Sequence, residues 1–234
     1  SCFMGSGTPV MVFDLETGAR RPSTRQDVID MVHLQDALPN VDIVRPTMTA
    51  TDTIQAASDE AESAGDSSLV EIADSLRYSG KHIVHRVLNP KNVDRAVALA
   101  AAVAGGEDNL RQRPLFSVLY CPISPSYMSV ENIRNVVGFA SRGVPVTVLS
   151  MAMGGASAPV TLLGELLVIN AEVIGYIAAL QALCPGAPVL YGSVSSVLDM
   201  RSGLLALGVP ESGLIHAGCA AMARFYGLRS MCAG

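Results

Sequence analysis

Residues Val144 to Tyr191 constrain the fold of this chain more than any other stretch. They begin with Val-Pro-Val-Thr-Val-Leu, a β-branched run with the length and composition of a strand buried on both faces. A loop of small residues follows, from Gly154 to Ala158. Pro159 suits the first turn of a helix, where a missing N–H costs nothing. The apolar run after it predicts a helix to about Ala182, stopped by Pro185-Gly186. Pro188 to Tyr191 opens another strand. Strand, helix and parallel strand in succession make a right-handed βαβ unit, with the small-residue loop at the carboxyl end of its first strand. In α/β folds that end carries the ligand.

The alternation extends in both directions. Upstream, strands are predicted at Val10–Phe13 and Val41–Arg45, with a turn at Asp14–Gly18. A helix runs from Arg25 to Ala37, capped by Ser23 or Thr24 and favoured by Asp27 near its positive end. Asp52 to Ala64 reads as a polar, weakly helical excursion, and Ser67 to Tyr78 as an amphipathic helix. Further strands are expected at Lys81–Leu88, Leu115–Cys121, Val144–Ser150, Pro188–Ser193 and Leu228–Cys232. The helices between them run from Asn89-Pro90 to Val103, from Ser129 to Ser141, over the long apolar run, and from Glu211 to Tyr226. The fold class is therefore α/β, a (β/α)₈ TIM-like barrel. Five or six βα units are present where a closed barrel needs eight, and the chain starts at Ser1, so a single partial barrel domain over residues 1–234 is expected.

The formal net charge is −5, which argues against nucleic acid as a partner. Cys2, Cys121, Cys184, Cys219 and Cys232 are odd in number and form no CxxC pair, so reduced thiols in the cytoplasm are expected rather than disulfides or a zinc site. The apolar run from Leu162 to Leu183 is long enough for a membrane span. It is interrupted by Glu165, Asn170, Glu172 and Gln181, and two carboxylates inside a bilayer are expensive. A helix buried between the barrel and a neighbouring subunit of a homo-oligomer is expected instead, with no membrane.

Several short motifs recur in a fixed order: Met151-Ala152-Met153-Gly154-Gly155-Ala156-Ser157-Ala158-Pro159-Val160-Thr161, Asn170-Ala171-Glu172, Pro185-Gly186-Ala187-Pro188-Val189, Tyr191-Gly192, Asp199-Met200-Arg201, and Ala223-Arg224-Phe225-Tyr226-Gly227-Leu228. In this order and spacing the chain resembles the trimethylamine methyltransferase family, whose members lacking pyrrolysine include glycine betaine methyltransferases. The resemblance is densest from Leu115 to Leu228. It departs from the family pattern at Arg229, where Pro is usual, and at Met153, where Pro often precedes the glycine. It implies an enzyme that moves a methyl group from a tertiary or quaternary methylamine to Co(I) of a corrinoid, in the metabolism that includes methanogenesis. The corrinoid is carried by a separate cognate protein, so no cofactor bound directly to this chain is expected. The resemblance also places the pyrrolysine position of the trimethylamine enzymes past Gly234. A barrel lyase or isomerase, and a non-catalytic docking fragment, are the rival readings.

The substrate-binding residues expected on this reading are Tyr120, Ser150, Met153, Gly154, Gly155, Glu165, Tyr191, Ser193 and Asp199. Gly154 and Gly155 either let a ligand approach the backbone or only close a tight turn. Tyr120 and Tyr191 fall at strand ends, where two aromatic faces and a carboxylate could cage a quaternary ammonium, or where both tyrosines could serve the core. Glu165 lies near the start of the long helix and is the better cation partner, whereas Glu172, about ten angstroms further along by the helical rise, reads as a buried structural group. Asp199 is either a mouth carboxylate or part of a local ion pair or cap with Arg201. Ser124, Ser150, Ser193 and Ser195 lie near the same mouth, outside any G-x-S-x-G elbow. His82 and His85 point to opposite faces of a strand and share no metal. His33 and His216 read as surface or satisfied core histidines. Cys121 has no second ligand at suitable spacing, so no metal is expected, and no catalytic residue is assigned.

Overall fold

The computed structural model describes residues 3–4, 9–57, 67–87 and 89–232. The chain divides into two compact units, Ser1–Ser117 and Val118–Gly234. The end of the expected excursion beyond residue 57, Leu88 of the expected strand, and Cys2 lie outside the described residues.

In the first unit, β1 (Phe3–Met4) pairs in parallel with a later strand, and β2 (Met11–Phe13) and β3 (Arg20–Pro22) form an antiparallel hairpin. Asp14 builds the turn, its Oδ1 accepting from the amides of Glu16 and Thr17 and from the Thr17 hydroxyl. Helix α1 (Arg25–Ala37) starts on a full capping box: Thr24 accepts from the Asp27 amide, and Asp27 accepts from the Thr24 amide. The two Arg21 nitrogens also grip the Asp27 carboxylate at 2.7 and 2.8 Å. There follow β4 (Ile43–Val44), α2 (Thr51–Ala57), α3 (Ser68–Tyr78), β5 (His82–His85), α4 (Val93–Ala104) and α5 (Glu107–Gln112). β1, β4 and β5 are parallel neighbours.

The second unit holds β6 (Phe116–Tyr120, shared with the first unit's end), α6 (Val130–Ala140), β7 (Val146–Ser150), β8 (Met153–Gly154), α7 (Leu162–Leu183), β9 (Val189–Ser193), β10 (Ser196–Asp199), β11 (Leu204–Leu205), α8 (Pro210–Phe225) and β12 (Ser230–Cys232). The pairs β6–β7, β7–β9 and β9–β12 are all parallel, with Val148 opposite both Tyr120 and Tyr191, and Ser193 opposite both Ser150 and Cys232. Crossover helices between parallel strands are the connection of a (β/α) barrel. The fold is mixed α/β and consistent with part of such a barrel; no closed barrel forms among the described residues.

Helix α7 begins three residues later than Pro159 suggests, at Leu162. Thr161 is its N-cap, its hydroxyl accepting from the Gly164 amide, and Pro159 lies before the cap. Its buried residues, Glu165, Ile169, Glu172, Val173, Tyr176, Ile177 and Leu180, follow a helical stripe. By length and composition it is apolar enough to cross a membrane. Both of its carboxylates lie on the buried stripe, while Leu163, Leu167 and Leu183 face outward. A three-stranded sheet lies after β7: β8 pairs in parallel with β10, which pairs antiparallel with β11. The sequence reading missed this sheet, in which Asp199 ends β10.

Close strand packing sets the first test. A Cβ on Gly192 would lie 2.7 Å from Leu149 Cδ1, 2.9 Å from Thr147 Cγ2 and 3.0 Å from the Val148 carbonyl oxygen. Gly192→Ala is therefore expected to destabilise the protein by about 1–3 kcal/mol through overpacking. Gly213→Ala, where a Cβ on α8 meets nothing within 4 Å, is expected to stabilise it by about 0.5–1 kcal/mol. Urea unfolding midpoints of the two variants should move in opposite directions.

Candidate functional site

The strand pleat sorts the candidate residues. Alternate residues of a strand face opposite sides, so Tyr120, Val148, Ser150, Tyr191 and Ser193, which are in register, share one face. That face is turned to α7. Tyr120 stacks on Tyr176 of α7 with ring centroids 5.1 Å apart, and the Tyr191 hydroxyl donates to Asn170 Oδ1 at 3.2 Å. Both tyrosines are buried. The structure thus does not assemble Tyr120 and Tyr191 into an open cage; they join the β layer to its covering helix. The physical reason is parity: both sit an even number of residues from positions that pack on α7.

The hydroxyls on this face are also engaged. Ser150 Oγ donates to Glu172 Oε2 at 2.7 Å. Glu172 further accepts from Ser124 Oγ and from the Ser126 amide, each at 3.0 Å. It is a fully satisfied buried acid that fastens the β6–α6 loop to the tip of β7, with hydroxyl and amide donors in place of a cationic partner. Ser193 Oγ accepts from the Ser195 amide at 3.1 Å.

Met153, Gly154, Gly155 and Asp199 belong to the small sheet after β7. Gly155 has φ +87°, a conformation that favours glycine, beside Met200 and Val160. Asp199 is exposed and committed to its own turn, accepting from the Arg201 amide at 3.0 Å and from Ser202 Oγ at 2.7 Å. These bonds hold its carboxyl below its ordinary range, Ser202 contributing most. Asp199 is a turn-former here.

Glu165 is different. Its side chain is 0% exposed, and neither carboxylate oxygen has a well-formed hydrogen bond among the described residues. Gly154 lies directly over it: a Cβ there would stand 2.3 Å from Oε2 and 3.3 Å from Val197 Cγ1. Burial pushes its carboxyl up to about 7, against which the Gly154 backbone works in part. Cys219 of α8 is within electrostatic reach, and its thiol sits against Cys232 and Ser193. The Cys232 contact and burial both push the Cys219 thiol up, so it stays neutral. Sequence reasoning missed Cys219, Cys232 and Val197. The helical spacing of Ser212, His216, Cys219 and Ala223 was the available signal that these residues share the buried face of α8.

The histidines divide. His82 is bonded through Nδ1 to the Pro114 carbonyl and through Nε2 to Ser117 Oγ, and His85 through Nδ1 to the Arg86 carbonyl and through Nε2 to Glu71 Oε2. His216 is the core alternative of the two expected: it is buried and its ring is engaged by the Ser195 backbone, while its Nε2 has no partner among the described residues. No group of three or more His, Cys, Asp or Glu positioned for a metal ion occurs among the described residues.

The whole chain, residues 1–234, matches the family model described as trimethylamine methyltransferase. It is 37% identical over 233 residues to a trimethylamine methyltransferase of Desulfitobacterium hafniense (strain DSM 10664 / DCB-2), covering 99% of this chain and 45% of that protein. It is 37% identical over 236 residues to the trimethylamine methyltransferase of Methanosarcina barkeri, covering 100% and 46%. It is 31% identical over 230 residues to the glycine betaine methyltransferase of Desulfitobacterium hafniense (strain Y51), covering 98% and 46%. The chain spans a little under half the length of these relatives.

The state of Glu165 has a measurable consequence. Between its ordinary value of 4.5 and about 7, the folded protein holds a proton that the unfolded chain releases. Glu165 therefore subtracts stability as pH rises through this window. Relative to wild type, Glu165→Gln should gain on the order of 3 kcal/mol between about pH 4.5 and pH 8, read from urea unfolding across pH.

Proposed function

The chain belongs to the trimethylamine methyltransferase family, and on that premise we propose that it takes part in moving a methyl group from a tertiary or quaternary methylamine, such as trimethylamine or glycine betaine, to a corrinoid carried by a partner protein. The observation that carries this reading is the unbroken family match from residue 1 to residue 234. Loss of methyl from a quaternary nitrogen is a displacement at carbon with a neutral amine as leaving group, so no general acid is needed. The corrinoid cobalt, when its protein docks, supplies the nucleophile.

The work left to this chain is orientation, desolvation and recognition of the amine. The arrangement of unit two is in keeping with that division. Ser150 and Ser193 at the strand tips are engaged in bonds that tie the tips to α7 and to the loop after β9: Ser150 donates to Glu172, and Ser193 accepts from the Ser195 amide. The β8–β10–β11 sheet, with the small residues Gly154 and Gly155 and the sulfur side chains of Met153 and Met200, is the part of unit two we assign to the amine.

A cytoplasmic setting is part of the proposal, supported by the reduced thiols Cys184, Cys219 and Cys232. So is a homo-oligomer, supported by the outward apolar stripe of α7 at Leu163 and Leu167.

The test is spectroscopic. The intact enzyme, mixed with a Co(I)-corrinoid protein and trimethylamine or glycine betaine, is expected to convert the Co(I) absorption to that of methyl-Co(III). Absence of conversion with every tertiary and quaternary methylamine tried would overturn the proposal.

A further inference from the structure

The second unit contains an internal comparison. Helix α7 buries two acids two turns apart, and the fold treats them in opposite ways. Glu172 receives three donors. Glu165 receives none that is well formed, although it is fully buried. A buried carboxylate without a partner costs several kcal/mol, so the group is either kept neutral or awaits a partner from outside the fold.

The walls around Glu165 specify what that partner is. Gly154 lies over Oε2, where any side chain would drive the carboxyl aside. Val197 of β10 and the Cys219 thiol of α8 stand nearby. These neighbours are apolar or soft, and the one backbone amide at hand belongs to Gly154. A metal ion needs further oxygen, nitrogen or sulfur ligands, and no such group is assembled here among the described residues. A guanidinium or primary ammonium brings several N–H donors that would need several acceptors. An ammonium whose hydrogens are replaced by methyl groups needs only one negative charge and a soft apolar wall.

We propose that Glu165 is the counter-charge for a methylated ammonium ion, which enters beneath the Gly154 strand in exchange for the proton of the Glu165 carboxyl. This rests on the reading of the chain as acting on methylated amines and adds the residue and the proton stoichiometry. The exchange balances: a neutral carboxyl and a solvated cation give a carboxylate–ammonium pair and one proton released to solvent. The other titratable groups near Glu165 are few, and among them the Cys232 thiol is pushed below its ordinary range by its contact with Cys219. β8 and β10 present Gly154 and Val197, which are not ionisable. On α8 the Cys219 thiol is held neutral by Cys232 of β12 and by burial. Burial pushes the His216 imidazole, one turn before Cys219, below its ordinary range, partly opposed by the Ser195 backbone. Glu172 of α7 lies two turns away and is engaged with its own donors.

The experiment is calorimetric titration of the intact enzyme with tetramethylammonium chloride, in two buffers of different ionisation enthalpy. The expected result is release of about one proton per cation near pH 6, and of almost none above about pH 8. Affinity should rise about tenfold per pH unit below pH 7 and level off above it. Glu165→Gln should weaken binding at pH 8 by more than about tenfold and abolish the proton release. Gly154→Ala should weaken it too, by displacing the carboxyl. Wild-type binding without proton release, equal binding by Glu165→Gln, or no binding at all would overturn the inference, and the wild-type measurements do not depend on any variant folding. Methyl transfer to the corrinoid, followed in parallel, separates the two claims. Transfer that is undiminished in Glu165→Gln at low amine concentration overturns the site and leaves the function. Binding with proton release but without transfer overturns the function and leaves the site.

Discussion

In the second unit, the two-residue period of parallel strands decides what each side chain can do. β6, β7 and β9 are in register, so every second residue along them is committed to the face under α7. Tyr120, Ser150, Tyr191 and Ser193 all fall on that face, and each finds a partner in the helix layer or an adjoining loop. The strand tips are thereby closed on the helix side. What remains for chemistry is the one acid that the helix buries there without a well-formed hydrogen bond among the described residues.

That group is Glu165. The contrast with Glu172 shows how a helix can carry two buried acids for different ends. Glu172 gathers a loop, a strand tip and a backbone amide, and so converts its desolvation cost into order. Glu165 bears the same cost with little repayment, because Gly154 brings the backbone over it without a Cβ and Val197 and Cys219 offer no strong donor. A neutral carboxyl suits these surroundings, and a methylated cation would suit its ionised form. Family membership makes a methylated amine the natural occupant, and the geometry supplies the reason for this position.

Much of the architecture was legible in the sequence. The β-branched run before Ser150, the apolar run of α7 and the stop at Pro185-Gly186 are signals of composition and punctuation, and they place β7, α7 and β9 to within three residues. The α1 cap at Thr24 with Asp27 was legible for the same reason: its bonds are local. What could not be read was non-local. β8, β10 and β11 are two to four residues long, too short for any period to appear, and they exist because they pair with one another. The start of α7 was misplaced because Pro159 and Thr161 are both good opening residues, and only the hydroxyl bond to Gly164 decides between them. Tyr120 ends β6 as expected while Tyr191 stands in the middle of β9, and of the two roles left open, cage or core, the structure gives both the core one, since a face is fixed by register against neighbours. Glu165 was singled out by its nearness to the start of the helix; its lack of partners is a property of the packed structure.

The central claim concerns the protonation state of one carboxyl and what changes it. Infrared difference spectroscopy tests it most directly, on the intact enzyme near pH 6, before and after tetramethylammonium chloride is added. The account predicts loss of a protonated-carboxyl stretch and gain of carboxylate bands in the wild type, with neither change in Glu165→Gln. An unchanged protonated-carboxyl band in the wild type, or the same difference spectrum in the variant, would contradict it.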